Sequence, residues 1–434
     1  MLFKKSKGFS LFVMFSLLFV FTFSAMAQKG EVEIFSWWTA GGEEEALNAL
    51  IELFNVEYPD IEVINSTVAG GAGFNAKRVL KTRMVAGNPP DSFQIHGGAE
   101  LIDTYVEIKI YGGEELVETY IEASKMEPIT GLLEEWGLKD KFNQQILEMT
   151  AYKGEYYSVP VNVHRSNAMF YNKEILEKNN IDPPTDLASF KTALNILDKA
   201  GVVPLSLGDT NKWPASQVFE TLLVATLGPS RYNGLWKEET AANDPAIREA
   251  FVHFKDIMKY VNEDHSSLTW DDATKLMHDG KAGFNIMGDW AEGYLKTLGW
   301  TPGEEFGWMA VPGTEGSFVF ITDTFGLPKD APNPKNAKKW LKLIASKEGQ
   351  DIFNPIKGSI PARIDADKSK YDPYLTDSME DFANDILTPS IVHGSAAPKG
   401  FVTAMDDTIN SFIRTGDIDQ AFENFQIIHE EYVK

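Results

Sequence analysis

The stretch VEIFSWWTAGGEEEALNALIELFNVEYPDIEVI, residues 32–64, decides the fold class. Val32-Glu33-Ile34-Phe35 reads as a strand that ends in Ser36-Trp37-Trp38 and a glycine turn at Gly41-Gly42. Glu43, Glu44 and Glu45 then open a helix, where acidic side chains suit the positive end of the helix dipole. Ala46, Leu47, Leu50, Ile51 and Phe54 recur at helical spacing and define one buried face. Tyr58-Pro59 stops the helix, and Ile61-Glu62-Val63-Ile64 reads as a second strand. Another helix, about Ala76 to Met84, ends at Gly87-Asn88-Pro89-Pro90, and Asp91-Ser92-Phe93-Gln94-Ile95 returns as a strand. Such a β-α-β-α-β run folds as a parallel sheet with helices on its faces, so an α/β protein is expected.

Outward from that stretch, the chain has 434 residues, 43% hydrophobic, enough for two buried cores. No Pro/Ser-rich linker separates two halves, so the chain is expected to cross between domains more than once. Forty basic against 63 acidic residues leave a formal charge of -23. A surface of that sign repels phosphates and anionic lipid, which argues against nucleic-acid and membrane-surface binding. The absence of cysteine removes disulfides, thiolate metal sites and a cysteine nucleophile together.

Residues 1–27 read as a cleaved signal peptide. Lys4, Lys5 and Lys7 precede an apolar run from Phe9 to Phe23, and Ala25-Met26-Ala27 offers the small-x-small pattern of a cleavage site. No second apolar stretch of membrane-spanning length follows. With no cysteine at the cleavage site there is no thiol for a lipid anchor. The mature product is expected to be freely soluble in a periplasm, without direct membrane insertion, and monomeric by default.

Ligands of open α/β sheets bind beyond the carboxyl ends of the strands. Trp37 and Trp38 leave the first strand there, and Gln94 and His96 leave the third on one face. Adjacent residues at a strand end point opposite ways, so one tryptophan is expected to pack and the other to face the crevice. Tryptophan, amide, imidazole and carboxylate together suit a sugar, whose flat apolar face lies on a ring while its hydroxyls need polar partners. Catalytic and nucleotide motifs are missing: no Gly-x-Ser-x-Gly, no His-Glu-x-x-His and no phosphate loop. Gly70-Gly71-Ala72-Gly73 lacks a properly spaced lysine, and the dispersed histidines give no metal pair. Neither a metal nor a cofactor is therefore expected. Asp271-Asp272 and Asp406-Asp407 read as solvated helix starts or faces.

Seven segments, in order, resemble the family 1 extracellular solute-binding proteins, the capture subunits of carbohydrate ABC importers. They are EIFSWWTAGGE (33–43), VINSTVAGGAGFNAKRVLKTRMVAGNPPDSFQIHGG (63–98), SVPVNVHRSNAMFYNK (158–173) and GKAGFNIMGDWAEGY (280–294). TDTFGLPKDAPN (322–333), ASKEGQDIFNPIKGSIPAR (345–363) and VHGSAAP (392–398) complete the series. Within the family the chain is most similar to the bacterial periplasmic glucose (glucose/galactose)-binding subgroup.

The resemblance implies a two-lobed periplasmic binding protein fold, each lobe a mostly parallel sheet flanked by helices. Lobe 1 would hold residues 28–165 and 324–355, and lobe 2 residues 166–323 and 356–434. Three hinge crossings would fall near Val163 to Ala168, Ile321 to Thr324 and Asn354 to Ser359. It also implies ligand contacts from Trp37 or Trp38, Glu43, Gln94 and His96, with Trp270, Trp290, Asp323, Lys357 and His393 from the second lobe and the hinges. The loop Thr39 to Glu45 is one residue longer than in the subgroup, which leaves Glu43 and Glu44 as alternatives. Trp213 departs from the subgroup and is expected only at the rim. The implied function is capture of a monosaccharide by hinge closure and its delivery to membrane permease subunits. The alternatives are a binding protein for another sugar (disaccharide, oligosaccharide or polyol) and, from a different class, an enzyme on sugars with Asp289, Asp323 or a Glu as acid and base. The expectation is that the chain is no enzyme.

Overall fold

The computed structural model describes residues 30–433 except 104, 112, 113 and 120–124; the expected signal peptide lies outside the described residues. Along the chain the first elements are β1 (Gly30–Ser36), α1 (Gly41–Glu57), β2 (Ile61–Thr67), α2 (Phe74–Val85) and β3 (Ser92–His96). β1 pairs in parallel with β2 and β3, as the alternating pattern requires. α1 buries Ala46, Leu47, Leu50 and Phe54 on the face read from their spacing. The two leucines and Phe54 each contribute about 1.5–3 kcal/mol when fully withdrawn from water.

Three short strands then carry the chain away from this sheet: β4 (Ser158–Pro160), β5 (Asn162–Arg165) and β6 (Ala168–Asn172). β7 (Val203–Ser206), α3 (Trp213–Leu227), α4 (Trp270–His278), β8 (Ala282–Met287), α5 (Trp290–Thr297) and β9 (Phe306–Ala310) build a second body. The return path is β10 (Ser317–Ile321), β11 (Asp323–Gly326) and α6 (Lys347–Lys357). β12 (Ile360–Pro361), β13 (Ile386–Pro389) and α7 (Lys399–Thr415) follow.

The first sheet has the order β2-β1-β3-β11-β4, and the second β7-β8-β6-β9. Between them stands a four-stranded sheet, β12-β5-β10-β13. The two main sheets are mixed, not mostly parallel as expected. β11 returns to the first sheet from the second body and pairs antiparallel with both β3 and β4. β6 likewise pairs antiparallel with β8 and β9. One apolar core gathers Ile34, Leu50, Phe54, Phe93 and Trp340 beside the first sheet. Another gathers Phe190, Phe219, Phe251, Phe254 and Phe284 beside the second. α3 lies within the second body with nearly every residue buried, the polar Ser216, Gln217, Glu220 and Thr221 included.

The acid pairs divide. Asp272 caps α4 with Thr269, and Asp407 is exposed, as expected of helix starts and faces. Asp406 is instead partly buried and accepts from Ser216 Oγ at 2.6 Å, because α3 packs over that side of α7.

Candidate functional site

β3 ends against β11 with His96 opposite Asp323 in the register. One residue before β11, the strand β10 places Ile321 opposite His164 of β5. These strand ends meet the first turns of α1, α4 and α5 and the last turn of α6 around one small cavity of about 30 Å³.

Nine of the ten expected residues line it: Trp37, Trp38, Glu43, His96, Trp270, Trp290, Asp323, Lys357 and His393. Both tryptophans after β1 border the space, so strict alternation does not hold. β1 has ended at Ser36, and beyond the last pleat there is no strand geometry to alternate. Trp38 forms a fixed wall, packed on Phe325 and Phe353 with ring centroids 5.7 and 4.8 Å away. Trp37 stands edge-on to His96 at 5.1 Å. Of the two candidate glutamates, Glu43 lines the cavity and Glu44 is exposed.

Gln94 does not line the cavity. Its amide nitrogen donates to Asp323 at 2.8 Å and its carbonyl accepts from the Trp37 backbone at 3.2 Å, so both of its polar ends are engaged one layer behind the wall. Trp213, expected at the rim, is part of the lining and only 5% exposed. His164, Gly71, Ala72 and Ile321 were not anticipated. His164 had one legible signal: it shares a strand face with Asn162 in the first expected crossing.

The charges are arranged in compensating groups. Lys357, 1% exposed, holds its ammonium 3.0 Å from Glu43. Burial pushes the Glu43 carboxyl up, against the pull of Lys357. Asp323 accepts from Gln94 and, at 2.9 Å, from Asn162. Its carboxyl resists burial: the hydrogen bond and charge of His164, with the charges of His96 and Lys357, hold it well below the usual carboxylate range. His164 lies between two carboxylates, bonded through Nδ1 to Asp289 and with Nε2 3.4 Å from Asp323. Burial and Lys357 oppose its protonation, yet the two aspartates raise its pKa. A third group joins Lys77 to Glu100 at 2.7 Å and Glu100 to His96 at 3.3 Å.

His393 is the exception. Burial, together with the positive charges of His96 and Lys77, pushes it well below its ordinary value, so it is a neutral imidazole. It stands among rings, 5.3 Å from Trp213, 5.3 Å from Trp290 and 5.7 Å from His96. The aromatic walls give flat apolar faces, and the paired charges leave donors and acceptors without a strong net field. A neutral ligand with an apolar face and many hydroxyls fits this arrangement. Among the described residues no cluster of His, Asp or Glu could hold a metal, and no helix is long and apolar enough to cross a membrane.

Comparison with known proteins bears on the same point. The family model described as "Bacterial extracellular solute-binding protein" matches residues 40–351. An uncharacterized ABC transporter extracellular-binding protein of Pyrococcus horikoshii is 41% identical over 402 residues, covering 91% of this chain and 86% of that one. A probable sugar-binding periplasmic protein of Mesorhizobium japonicum is 30% identical over 404 residues, with 91% of each chain covered. Among solved structures, the bacterial solute receptor AcbH, described as preferring β-D-galactopyranose, superposes with a TM-score of 0.78 at 18% identity. It covers 93% of this chain and 98% of its own, a likeness that speaks for the fold. From strand order, cavity and relatives alike, the chain belongs to the bacterial extracellular solute-binding proteins.

Proposed function

We propose that this protein is the periplasmic substrate-binding subunit of an ABC importer that captures a monosaccharide, glucose and/or galactose. The observation that carries this reading is the cavity itself: tryptophan rings around compensated pairs of buried charge. A pyranose presents an apolar face to such rings and hydroxyls to Glu43, Asp323 and Lys357. Each satisfied hydroxyl is worth about 0.5–1.5 kcal/mol, or about 1.5–3 with a charged partner. The sugar-binding name of the Mesorhizobium relative supports the ligand class.

In this reading residues 28–165 with 324–355 move as lobe 1, and 166–323 with 356–434 as lobe 2. The sugar binds one lobe, the other closes over it, and the closed form is what permease subunits recognise. Residues 1–27 are removed on export, and no lipid anchor or catalytic step is involved.

The test is a thermal-shift and calorimetry panel of mono- and disaccharides on the chain from Gln28. Ligand at 100 times its Kd stabilises by about 2.7 kcal/mol. A shift with glucose or galactose alone supports the reading. A shift only with longer sugars keeps the carrier and overturns the monosaccharide. Turnover of an oligosaccharide would make the protein an enzyme.

A further inference from the structure

α3 carries a polar side chain one turn beyond Trp213. Gln217 is fully buried, as are its polar helix neighbours Ser216, Glu220 and Thr221. Its amide nitrogen donates to the carbonyl of Ser166 at 2.8 Å. Ser166 is the residue after β5, and its own N–H donates to Val319 of β10 at 2.7 Å, so this carbonyl is fixed by the crossing strands.

A carbonyl can only accept, so Ser166 settles which end of the Gln217 amide is NH₂. The Gln217 oxygen must then face the other way, where it stands 3.5 Å from Nε2 of His393. An amide oxygen also only accepts, so this contact favours the proton of the neutral His393 ring on Nε2. Nδ1 is left with a lone pair, and it makes no hydrogen bond among the described residues. His393 lines the cavity, and no bond from the described residues competes for that lone pair.

We propose that Gln217 is a positioning residue that holds His393 as its Nε2–H tautomer, so that the ring accepts, and does not donate, a hydrogen bond from a ligand hydroxyl. This rests on the sugar-capture reading and deepens it. At one position the ligand must carry a hydroxyl proton. A deoxy, O-methyl or fluoro substituent there is rejected, since none of them can donate. The neighbouring Lys357 ammonium is a pure donor. The sugar position it faces therefore tolerates fluorine, which can still accept.

The first measurement is long-range ¹H–¹⁵N correlation of the imidazoles in ligand-free wild type and Gln217→Leu. Wild type should show His393 protonated at Nε2 alone, and Gln217→Leu a mixture of tautomers. Gln217→Glu, as the neutral acid donating to the Ser166 carbonyl, keeps an acceptor toward His393 and should keep the wild-type tautomer. Nδ1–H in the wild type, or an unchanged spectrum in folded Gln217→Leu, overturns the proposal.

The second is calorimetry of wild type with the monodeoxy and monofluoro series of the sugar it binds. One position should lose about tenfold for both the deoxy and the fluoro analogue, and Gln217→Glu should retain that pattern. A series in which fluorine rescues every position overturns it. Should Gln217→Leu not fold, the analogue series on wild type and the Gln217→Glu spectrum still decide. No binding by any sugar, with the tautomer as stated, would count against sugar capture and leave the Gln217–His393 relation standing.

Discussion

The Lys357 ammonium and the Glu43 carboxylate meet at 3.0 Å across the cavity wall, joining the last turn of α6 to the first turn of α1. Lys357 is also within 6.0 Å of the Trp38 ring and 5.9 Å of the Trp290 ring. A cation so placed serves the ligand and the fold at once, and the two roles separate under mutation.

Lys357→Met should weaken sugar binding by an order of magnitude or more, the worth of a charged hydrogen bond. It should also destabilise the apo protein at neutral pH, by less than the ~3–5 kcal/mol of a fully buried pair, because Glu43 can take up a proton. Burial already raises the Glu43 carboxyl, and removing Lys357 raises it further. A raised carboxyl favours the native state below its unfolded value of about 4.3 and loses that contribution as pH rises through the folded value. The deficit of the variant should therefore shrink on going from pH 7.5 to pH 5 in denaturant titrations. A deficit independent of pH would remove Glu43 as the cause.

The His164 pair gives a different profile. Asp323 is depressed, so its contribution is present above about pH 4 and lost as pH falls further. His164 is raised, so its contribution is complete below about pH 6.5 and declines as pH climbs through its folded value. The network should stabilise most between those limits. Melting temperatures of wild type and His164→Gln from pH 3 to 9 should differ most in that window, and equal differences at every pH would disprove the linkage.

Trp290 stands edge-on to His164, Trp213 and His393, at centroid distances of 5.3, 5.9 and 5.3 Å. Trp290→Ala should abolish tight binding and also cost apo stability, toward the lower part of the ~3–5 kcal/mol seen for buried aromatic truncations. Trp290→Phe should recover most of the stability and less of the affinity. Calorimetry beside apo denaturation separates the two; intact affinity in the alanine variant would make the ring structural only.

Gly71 is where the loop after β2 meets the second body. A Cβ there would stand 3.0 Å from Trp213 Nε1 and 3.2 Å from Trp270 Cδ1. Gly71→Ala should hold the bodies slightly apart, so that ligand leaves faster while apo stability stays within about 0.5 kcal/mol. Stopped-flow release rates check this, and unchanged release would mean that the tryptophans simply yield.

Much of this site is legible from local pattern. The run from Val32 to Ile95 declares its parallel strands because each helix and strand shows its own period, and His96 follows from the strand end. Glu43 and Glu44 are separable only once the helix register is known, since Ala46, Leu50 and Phe54 turn Glu43 inward. His164 is a harder case. Its partners Asp289 and Asp323 lie 125 and 159 residues away in sequence, and nothing in β5 alone foretells them. Gln94 reads as a contact residue by its face, but only the tertiary pairing with Asp323 reveals that its polar ends are already used. The antiparallel strands escaped for the same reason: their direction is set by where the crossings deliver them.

The position of β11 has a consequence for how the molecule is made. The edge of β3 away from β1 is paired by Asp323–Gly326. Until residue 326 of 434 exists, the first sheet has an open side and no stable closure. The amino-terminal third therefore cannot lock into its native form as it leaves the ribosome. A polypeptide kept loose for most of its synthesis remains threadable, and the same chain crossings that build the cleft postpone folding until about three quarters of the chain has been made.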